Sequence, residues 1–366
     1  MKVPFSYLDR QFSDVDAYLA DIRELVLSGD FTLGAAVTEF ERRFSELCGM
    51  PYAIGVGTGT DALMMSLEVL GIGSGDEVIT AANTFVATAG AIAMTGARIV
   101  FADNDEGYTI DPERIEAAIT SRTKAIMPVH YSGNVADMPR IKAIADKHGL
   151  MIVEDACQAI KGMRVGVPVG GWGETAGFSL HPLKNLNVWG DAGVIVTRRA
   201  DLYERLRLHR NHGLSGRDEV AVWGRNCRLD SLQAVIGNRL IAQTDFITDS
   251  KIANAKRYDE ALGDLAPHVR IPPRNPSVRH VYHLYMVRVE RRDELLAFLL
   301  ERGVGAKIHY PVPLHLQPAA TNLGYKKGDF PMAEADAKSM ITLPAHQHLT
   351  EAEIDHVIES VRAFYR

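Results

Sequence analysis

The chain is expected to be an α/β protein, with a large domain around a seven-stranded, mostly parallel sheet and a smaller α+β domain at the C-terminal end. Three observations lead there. Short apolar runs recur through the first half of the sequence with helical patterns between them. The intervening helices are long enough to cross over between parallel neighbours and so to cover both faces of one sheet. Past about residue 245 the alternation stops, and helices, a proline-rich run and a single strand take its place.

In order, the strands are expected at Tyr52–Val56, Glu77–Ala82, Ala97–Ala102, Thr123–His130, Leu150–Asp155, Thr175–Leu180 and Gly193–Thr197. Each is a short apolar run of the kind that a doubly covered strand shows. Between the earlier ones, helices are expected at Thr60–Leu70, Val86–Met94, Pro112–Ile119 and Met138–Lys147. Two further helices, Leu229–Leu240 and Ile252–Leu262, lead into Ile271-Pro272-Pro273-Arg274-Asn275-Pro276, then a strand His283–Glu290 and a helix Arg292–Arg302. This change of pattern divides the chain into a large domain over 1–244, including an N-terminal segment, and a small domain over 245–366. No internal repeat or low-complexity segment interrupts either part.

Composition bounds the function. The 366 residues are 46% hydrophobic, with 16 scattered prolines, which suits two globular domains and gives no signature of disorder. A net charge of -6 without a run of Lys or Arg removes any electrostatic motive for binding nucleic acid or an anionic membrane. Met1-Lys2-Val3-Pro4-Phe5-Ser6 lacks the apolar stretch of a signal peptide and no window approaches the length of a membrane span, so a cytoplasmic protein is expected. Cys48, Cys157 and Cys227 are odd in number and widely spaced, which indicates neither a disulfide framework nor a cysteine-based zinc site. His346-Gln347-His348 has no carboxylate or cysteine spaced to complete a metal site, and a polar loop is expected there, with no metal. Gly71-Ile72-Gly73-Ser74-Gly75-Asp76 precedes a strand instead of opening a helix, the wrong order for a dinucleotide fingerprint, and reads as a turn.

Three elements carry chemistry. Lys184 stands in Phe178-Ser179-Leu180-His181-Pro182-Leu183-Lys184-Asn185-Leu186, past an apolar run and before the turn with Gly190 and Gly193. The run Leu150-Met151-Ile152-Val153 ends in Glu154-Asp155, an acid at the carboxyl end of a buried strand, where ligands bind in open α/β sheets. Lys184 with Asp155 suggests pyridoxal 5'-phosphate: the lysine holds the aldehyde as an imine and the aspartate keeps the pyridine nitrogen protonated, so that the ring accepts electrons from a carbanion. Gly57-Thr58-Gly59-Thr60-Asp61 before Ala62-Leu63-Met64-Met65-Ser66-Leu67 reads as a phosphate cup, in which glycines admit the anion and a helix amino terminus offers free N–H groups. Singly, each has an ordinary role: a solvated lysine, an aspartate or threonine capping the next helix.

Together with Thr84-Phe85-Val86-Ala87-Thr88, Val153-Glu154-Asp155-Ala156-Cys157-Gln158-Ala159, Gly224-Arg225-Asn226-Cys227-Arg228-Leu229-Asp230 and His309-Tyr310-Pro311, these elements occur in the order seen in DegT/DnrJ/StrS-type sugar aminotransferases, which the whole chain resembles. The resemblance implies the aspartate-aminotransferase fold (fold type I) and a homodimer with shared active sites. It implies that Lys184 forms the internal aldimine and then serves as acid and base, that Asp155 pairs with the pyridine nitrogen, that Gln158 contacts the ring hydroxyl and that Phe85 stacks on the ring. Thr58, Ser179 and the backbone at Gly59 and Thr60 would bind the phosphate, with Asn226 reaching the partner's phosphate. By family position alone, His309, Tyr310 and His315 are substrate-side residues.

The implied reaction is ping-pong amino transfer. An amino donor, L-glutamate, converts the cofactor to pyridoxamine 5'-phosphate, which aminates a ketone on a nucleotide-linked deoxysugar. A related branch with histidine in place of the lysine dehydrates instead; here Lys184 is present. Thr58 keeps a hydroxyl where Ser or Asn is common, Asn187 stands where many members have Thr, and Gly190-Asp191-Ala192-Gly193 replaces the more frequent Gly-Glu-Gly-Gly. That aspartate variant resembles members that aminate C3 over those acting at C4. Arg228, Arg274 and Lys307 are alternative sources of charge for the sugar diphosphate. Two other classes stand beside this reading. Another fold-type I enzyme, a lyase or amino-acid aminotransferase, would have no reason for the Asn226 and His309 blocks. A non-catalytic sensor would not need Lys184, Asp155 and the cup intact.

Overall fold

Seven short strands make the central sheet of the computed structural model, which describes residues 1–366. They are β1 (Tyr52–Val56), β2 (Glu77–Ala81), β3 (Arg98–Ala102), β4 (Thr123–Met127), β5 (Met151–Asp155), β8 (Thr175–Ser179) and β9 (Gly193–Thr197), with β6 (Met163–Arg164) and β7 (Val167–Pro168) forming a hairpin beside them. The order across the sheet is β1-β9-β8-β5-β4-β2-β3. Pairs from β8 through β3 are parallel, whereas β9 runs antiparallel to both of its neighbours. The reversal has a local cause. The segment between β8 and β9 contains no crossover helix, so the chain can only turn back on itself. That turn carries Lys184.

The observed strands follow the apolar runs closely. β4 stops at Met127, short of the expected His130, because Pro128 has no N–H to give to a ladder; an isolated bridge from Val129 to Asp155 resumes the pairing.

The helices are α1 (Leu8–Gln11), α2 (Val15–Ser28), α3 (Ala35–Cys48), α4 (Gly59–Val69), α5 (Val86–Met94), α6 (Pro112–Ala118), α7 (Met138–His148), α8 (Ala200–His209), α9 (Ser231–Leu240), α10 (Thr244–Leu262), α11 (Arg292–Glu301), α12 (Pro331–Ser339) and α13 (Glu351–Phe364). α4 is buried on nearly every side: Ala62, Leu63, Met64, Met65 and Leu67 are all at most 1% exposed. Each such large apolar side chain contributes about 1.5–3 kcal/mol. It lies directly on β8, where a Cβ on Gly177 would come within 2.8 Å of the Leu63 side chain. α10 begins well before the expected Ile252. Its buried face runs Ile247, Lys251, Ala255, Tyr258, Leu262, and the polar Thr248 and Lys251 on that face hide the apolar period in the first turns.

A second sheet, β10 (Val269–Arg270), β12 (Tyr285–Val289) and β13 (Met340–Leu343), is antiparallel and has its own core, with Tyr258, Tyr285, Leu295, Leu299, Ile341 and Val357 fully buried. Val3 belongs to this core and bridges to Val304, so the first residues of the chain pack with the last third. β11 (Val278–Arg279) pairs with β6 and ties the two regions together. Arg10 and Glu353 do the same with a 2.6 Å ion pair, which holds the Glu353 carboxyl down at about 2; Glu353 also closes a capping box with Thr350 at the start of α13. No helix is long and apolar enough to cross a membrane.

Candidate cofactor and active site

The start of α4, the ends of β5 and β8 and the β8–β9 turn converge on one cavity of about 490 Å³, closed on its far side by the small sheet and the N-terminal segment. Thr58 caps α4: its hydroxyl accepts from Asp61 N–H at 2.9 Å and donates to the Asp61 carboxylate at 2.9 Å. The N–H groups of Gly59 and Thr60 have no partner in the protein, as the first turn of a helix requires. Glycine is needed at 59, where a Cβ would lie 2.7 Å from Ser179 Cβ and 3.0 Å from Cys157 Sγ. It is needed again at 193, where a Cβ would stand 2.2 Å from Thr58 O. The helix start therefore rests on the ends of β8 and β9, with its donors and dipole directed at the cavity.

Asp155 and Glu154 adjoin each other on β5 and so point to opposite faces. Glu154 is wholly buried, accepts from the N–H groups of Gly170, Trp172 and Gly173, each at 2.9 Å, and pairs with His130 Nε2 at 3.0 Å. It is structural. Asp155 lines the cavity, where Thr88 Oγ1 donates to its Oδ2 at 2.7 Å and Cys157 N–H to its Oδ1 at 3.1 Å.

The Lys184 turn is pinned by its backbone. The Lys184 carbonyl accepts from Tyr7 Oη at 3.2 Å and from Asn187 Nδ2 at 2.9 Å. Asn187 in turn accepts from Gln11 at 2.6 Å, and Gln11 from Gln347 at 2.9 Å. Asn187 is thus a peg between the turn and the N-terminal segment. The Lys184 amine makes no hydrogen bond and lines the cavity; burial lowers its pKa, against the opposing pull of Cys157 and Asp155.

Phe85 stands at the amino end of α5, 46% exposed, with its ring on the cavity and 5.7 Å from that of Tyr310. Gln158 receives the Ser132 N–H on its carboxamide oxygen at 2.7 Å, which leaves its NH₂ without a protein acceptor. Ser179 lines the cavity beside Gly59. His309 is held by Thr342 at 2.9 Å, and burial together with Lys307 and Lys184 pushes its imidazole down to about 4. Burial and Asp155 push the Tyr310 phenol up to about 12.

Of the residues singled out in the sequence, Thr58, Gly59, Thr60, Phe85, Asp155, Gln158, Ser179, Lys184, His309 and Tyr310 line this one cavity. Two lie elsewhere. His315 is buried against Phe330, paired with Glu334 at 3.1 Å, off the cavity. Asn226 is exposed outside it, in a backbone bridge with Asn211. Arg228, Arg274 and Lys307 also stand off the cavity: Arg228 donates to Asn211 at 2.9 Å, Arg274 grips Asp259 with two 2.9 Å bonds and Lys307 lies over the Phe5 ring. Phe5, Tyr7, Thr84, Thr88, Lys251, His283 and His346 line the cavity without having been singled out. His346 belongs to the expected polar loop but is only 2% exposed and donates to Pro4 O at 3.2 Å.

These donors fit a flat, phosphorylated pyridine aldehyde: unpartnered N–H groups for the phosphate, a carboxylate for the ring nitrogen, an aromatic face and a free amine. The chain matches the description of the DegT/DnrJ/EryC1/StrS aminotransferase family over residues 13–362. It is 42% identical over 373 residues to the "pleiotropic regulatory protein" of Geobacillus stearothermophilus, covering 100% of this chain and 99% of that one. It is 40% identical over 363 residues to the dTDP-3-amino-3,4,6-trideoxy-alpha-D-glucose transaminase of Streptomyces venezuelae, covering 99% and 96%. The crystal structure of S. venezuelae DesV in complex with a ketimine intermediate superposes with a TM-score of 0.97 at 39% identity, covering 100% and 99% of the two chains.

Proposed function

Because this chain belongs to the DegT/DnrJ/EryC1/StrS aminotransferase family, we propose that it moves an amino group from L-glutamate to the C3 ketone of a nucleotide-linked deoxysugar. It is a sugar aminotransferase whose cofactor is pyridoxal phosphate, alternating with the pyridoxamine form. The observation that carries the reading is the placement of Lys184 and Asp155 on one cavity with the unpartnered N–H groups of α4. When bound, the cofactor supplies an electron sink for the carbon that gives or takes the amino group.

The chain's own residues do the rest. Lys184 would hold the cofactor covalently and, once displaced, its buried amine would carry a proton between the substrate carbon and the cofactor's C4′; the lowered pKa favours the neutral, basic form. Asp155, fixed by Thr88 and Cys157, would pair with the ring nitrogen. Gln158 would offer its NH₂ to the ring hydroxyl, Phe85 would lie against the ring face, and Thr58, Gly59, Thr60 and Ser179 would hold the phosphate, roles supported by the free NH₂ of Gln158 and by their common place on the cavity. His309 and Tyr310 stand on the substrate side. The reading also takes the chain as a homodimer, in which Asn226, exposed and off its own cavity, serves the partner's phosphate. The C3 preference is supported by Asp191 on the cavity wall and by the S. venezuelae relative, whose name gives a 3-amino sugar.

The test begins with the visible spectrum of the protein with pyridoxal phosphate, before and after L-glutamate, followed by assays on 3-keto and 4-keto nucleotide sugars. Loss of the yellow band with glutamate and turnover of 3-keto sugars is expected. Turnover confined to 4-keto sugars would refute the C3 assignment, and a Lys184→Ala protein that keeps full activity would sink the mechanism.

A further inference from the structure

Lys251 is a charged side chain where the fold calls for an apolar one. It occupies the buried face of α10 between Ile247 and Ala255, is 3% exposed, and makes neither a hydrogen bond nor an ion pair. A buried, unpaired ammonium is costly, and a methionine would fill the position without that cost. Yet the side chain is aimed into the cavity that holds Lys184. The groups facing it are the Tyr7 ring, with Nζ 5.5 Å from the centroid, and the imidazoles of His283 and His346. Burial holds both imidazoles below their ordinary range, so they are neutral at physiological pH and bring no negative charge to the amine. Nothing in the protein neutralises Lys251. An anionic ligand would.

The position of the amine selects among anions. The cofactor phosphate belongs at the amino end of α4, beside Ser179, whereas Lys251 comes from α10 and stands against the Tyr7 ring and near His346. A sugar diphosphate carries a nucleotide that must remain at the open mouth, and a 3% exposed amine has no room for it. What fits is a small carboxylate at the end of a short chain. His283 lines the same cavity and feels the charge of both Lys184 and Lys251, so both amines lie within reach of its ring. A donor whose amino group reacts at Lys184 and whose side chain extends past His283 delivers its second carboxylate to Lys251.

We propose that Lys251 forms a carboxylate subsite that recognises the distal carboxylate of a dicarboxylic amino donor and so selects glutamate-like donors over monocarboxylic ones. The subsite deepens the aminotransferase reading above and rests on it. Tyr7 stabilises the ammonium through its ring face while its hydroxyl holds the Lys184 carbonyl, which couples the subsite to the catalytic turn.

The test uses the cofactor-loaded protein, Lys251→Met and Lys251→Arg, with two readouts. One is glutarate binding by calorimetry, which needs no turnover. The other is cofactor conversion by L-glutamate against L-2-aminobutyrate. In Lys251→Met, glutarate binding is expected to disappear and half-saturating glutamate to rise at least about tenfold, the scale of losing one partner of a buried charge pair. Conversion by 2-aminobutyrate should stay within about twofold, since only its distal group differs. Lys251→Arg keeps the charge and should retain part of the glutarate binding. In the unmodified protein, glutarate binding should weaken as pH rises past about 7, where burial places the loss of the Lys251 proton; the methionine variant should show no such dependence. Glutarate that fails to bind, or binds equally with methionine at 251, overturns the subsite. Glutarate binding that needs Lys251 in a protein glutamate does not convert overturns the donor assignment and leaves the subsite standing.

Discussion

Thr88 Oγ1 donates a 2.7 Å hydrogen bond to Asp155 Oδ2, joining α5 to the end of β5 underneath the cavity. A second hydroxyl, Thr84, lies 3.1 Å from Thr88 and completes a small chain, all of it buried. The carboxylate is thereby aimed before any ligand arrives. In the proposed function this aspartate pairs with a ring nitrogen, and such a carboxylate is effective only if its oxygens are already in place.

Replacing Thr88 with valine keeps the shape and removes the donor. A hydrogen bond to a charged group contributes about 1.5–3 kcal/mol, so kcat/KM should fall roughly 10- to 100-fold, with weaker cofactor retention and a small change in Tm. Steady-state kinetics beside a cofactor titration check it. Activity within twofold of the unmodified enzyme would mean that Cys157 N–H alone holds Asp155.

Gly193 makes a second prediction because its conformation is extended and its constraint is purely one of space. An alanine there would place Cβ 2.2 Å from Thr58 O, which is backbone and cannot rotate away. The start of α4 must shift, and with it the N–H groups of Gly59 and Thr60. Gly193→Ala should weaken cofactor binding at least about tenfold, the cost of misplacing preset donors, and lower Tm. Gly90 in α5 is the control, because nothing lies within 4 Å of a Cβ there. Gly90→Ala should stabilise by about 0.5–1 kcal/mol through helix propensity and leave cofactor binding unchanged.

The contrast between these sites shows what a sequence discloses. The seven strands, α4 and the cup were legible because each is a local pattern: an apolar run, a helical period, glycines before a helix. Asp155, Gln158, Lys184, His309 and Tyr310 were legible only as ordered motifs, and the structure gathers them onto one cavity. His315 shares their neighbourhood in sequence but turns into the packing around Phe330, which no spacing reveals. Tyr7, His283 and Lys251 come from the N-terminal segment, the approach to β12 and α10. Their part in the cavity depends on tertiary closure, and in the chain they look like any aromatic, histidine or lysine.

Glu154 and Asp155 give the same lesson in energetic terms. Glu154→Ala would strand His130 and the N–H groups of Gly170, Trp172 and Gly173 in a dry interior. A loss of about 3–5 kcal/mol is expected, as for leaving several buried polar groups unpaired, seen as a lower Tm with kcat nearly preserved in the fraction that stays folded. Asp155→Ala should do the reverse, abolishing turnover at little cost in stability. Differential scanning calorimetry with active-site titration separates the two, and equal effects of both substitutions would remove the division of labour between the faces of β5.

The last prediction concerns stability against pH. Burial lowers Lys251 from its ordinary value to about 7. In the unfolded chain the amine titrates near 10.4, so between about pH 7 and pH 10 the unfolded state holds a proton that the native state has released. Over that window Lys251 makes the native state gain stability as pH rises, by up to about 1.4 kcal/mol per pH unit; below about 7 the native state carries the full cost of a buried charge. The buried thiols oppose this trend, because burial raises Cys48, Cys157 and Cys227 and the native state then keeps protons that the unfolded chain sheds above about 8.5. The comparison must therefore be a difference between proteins. Lys251→Met should be more stable than the parent at pH 6.5, by an amount on the order of several kcal/mol, and the gap should close steadily towards pH 10. Urea unfolding of both cofactor-loaded proteins at four pH values measures it, with the cysteine contribution cancelling. A gap that stays constant across the series would show that Lys251 titrates as an ordinary lysine, and that the cavity already contains the negative charge which the subsite reserves for the donor.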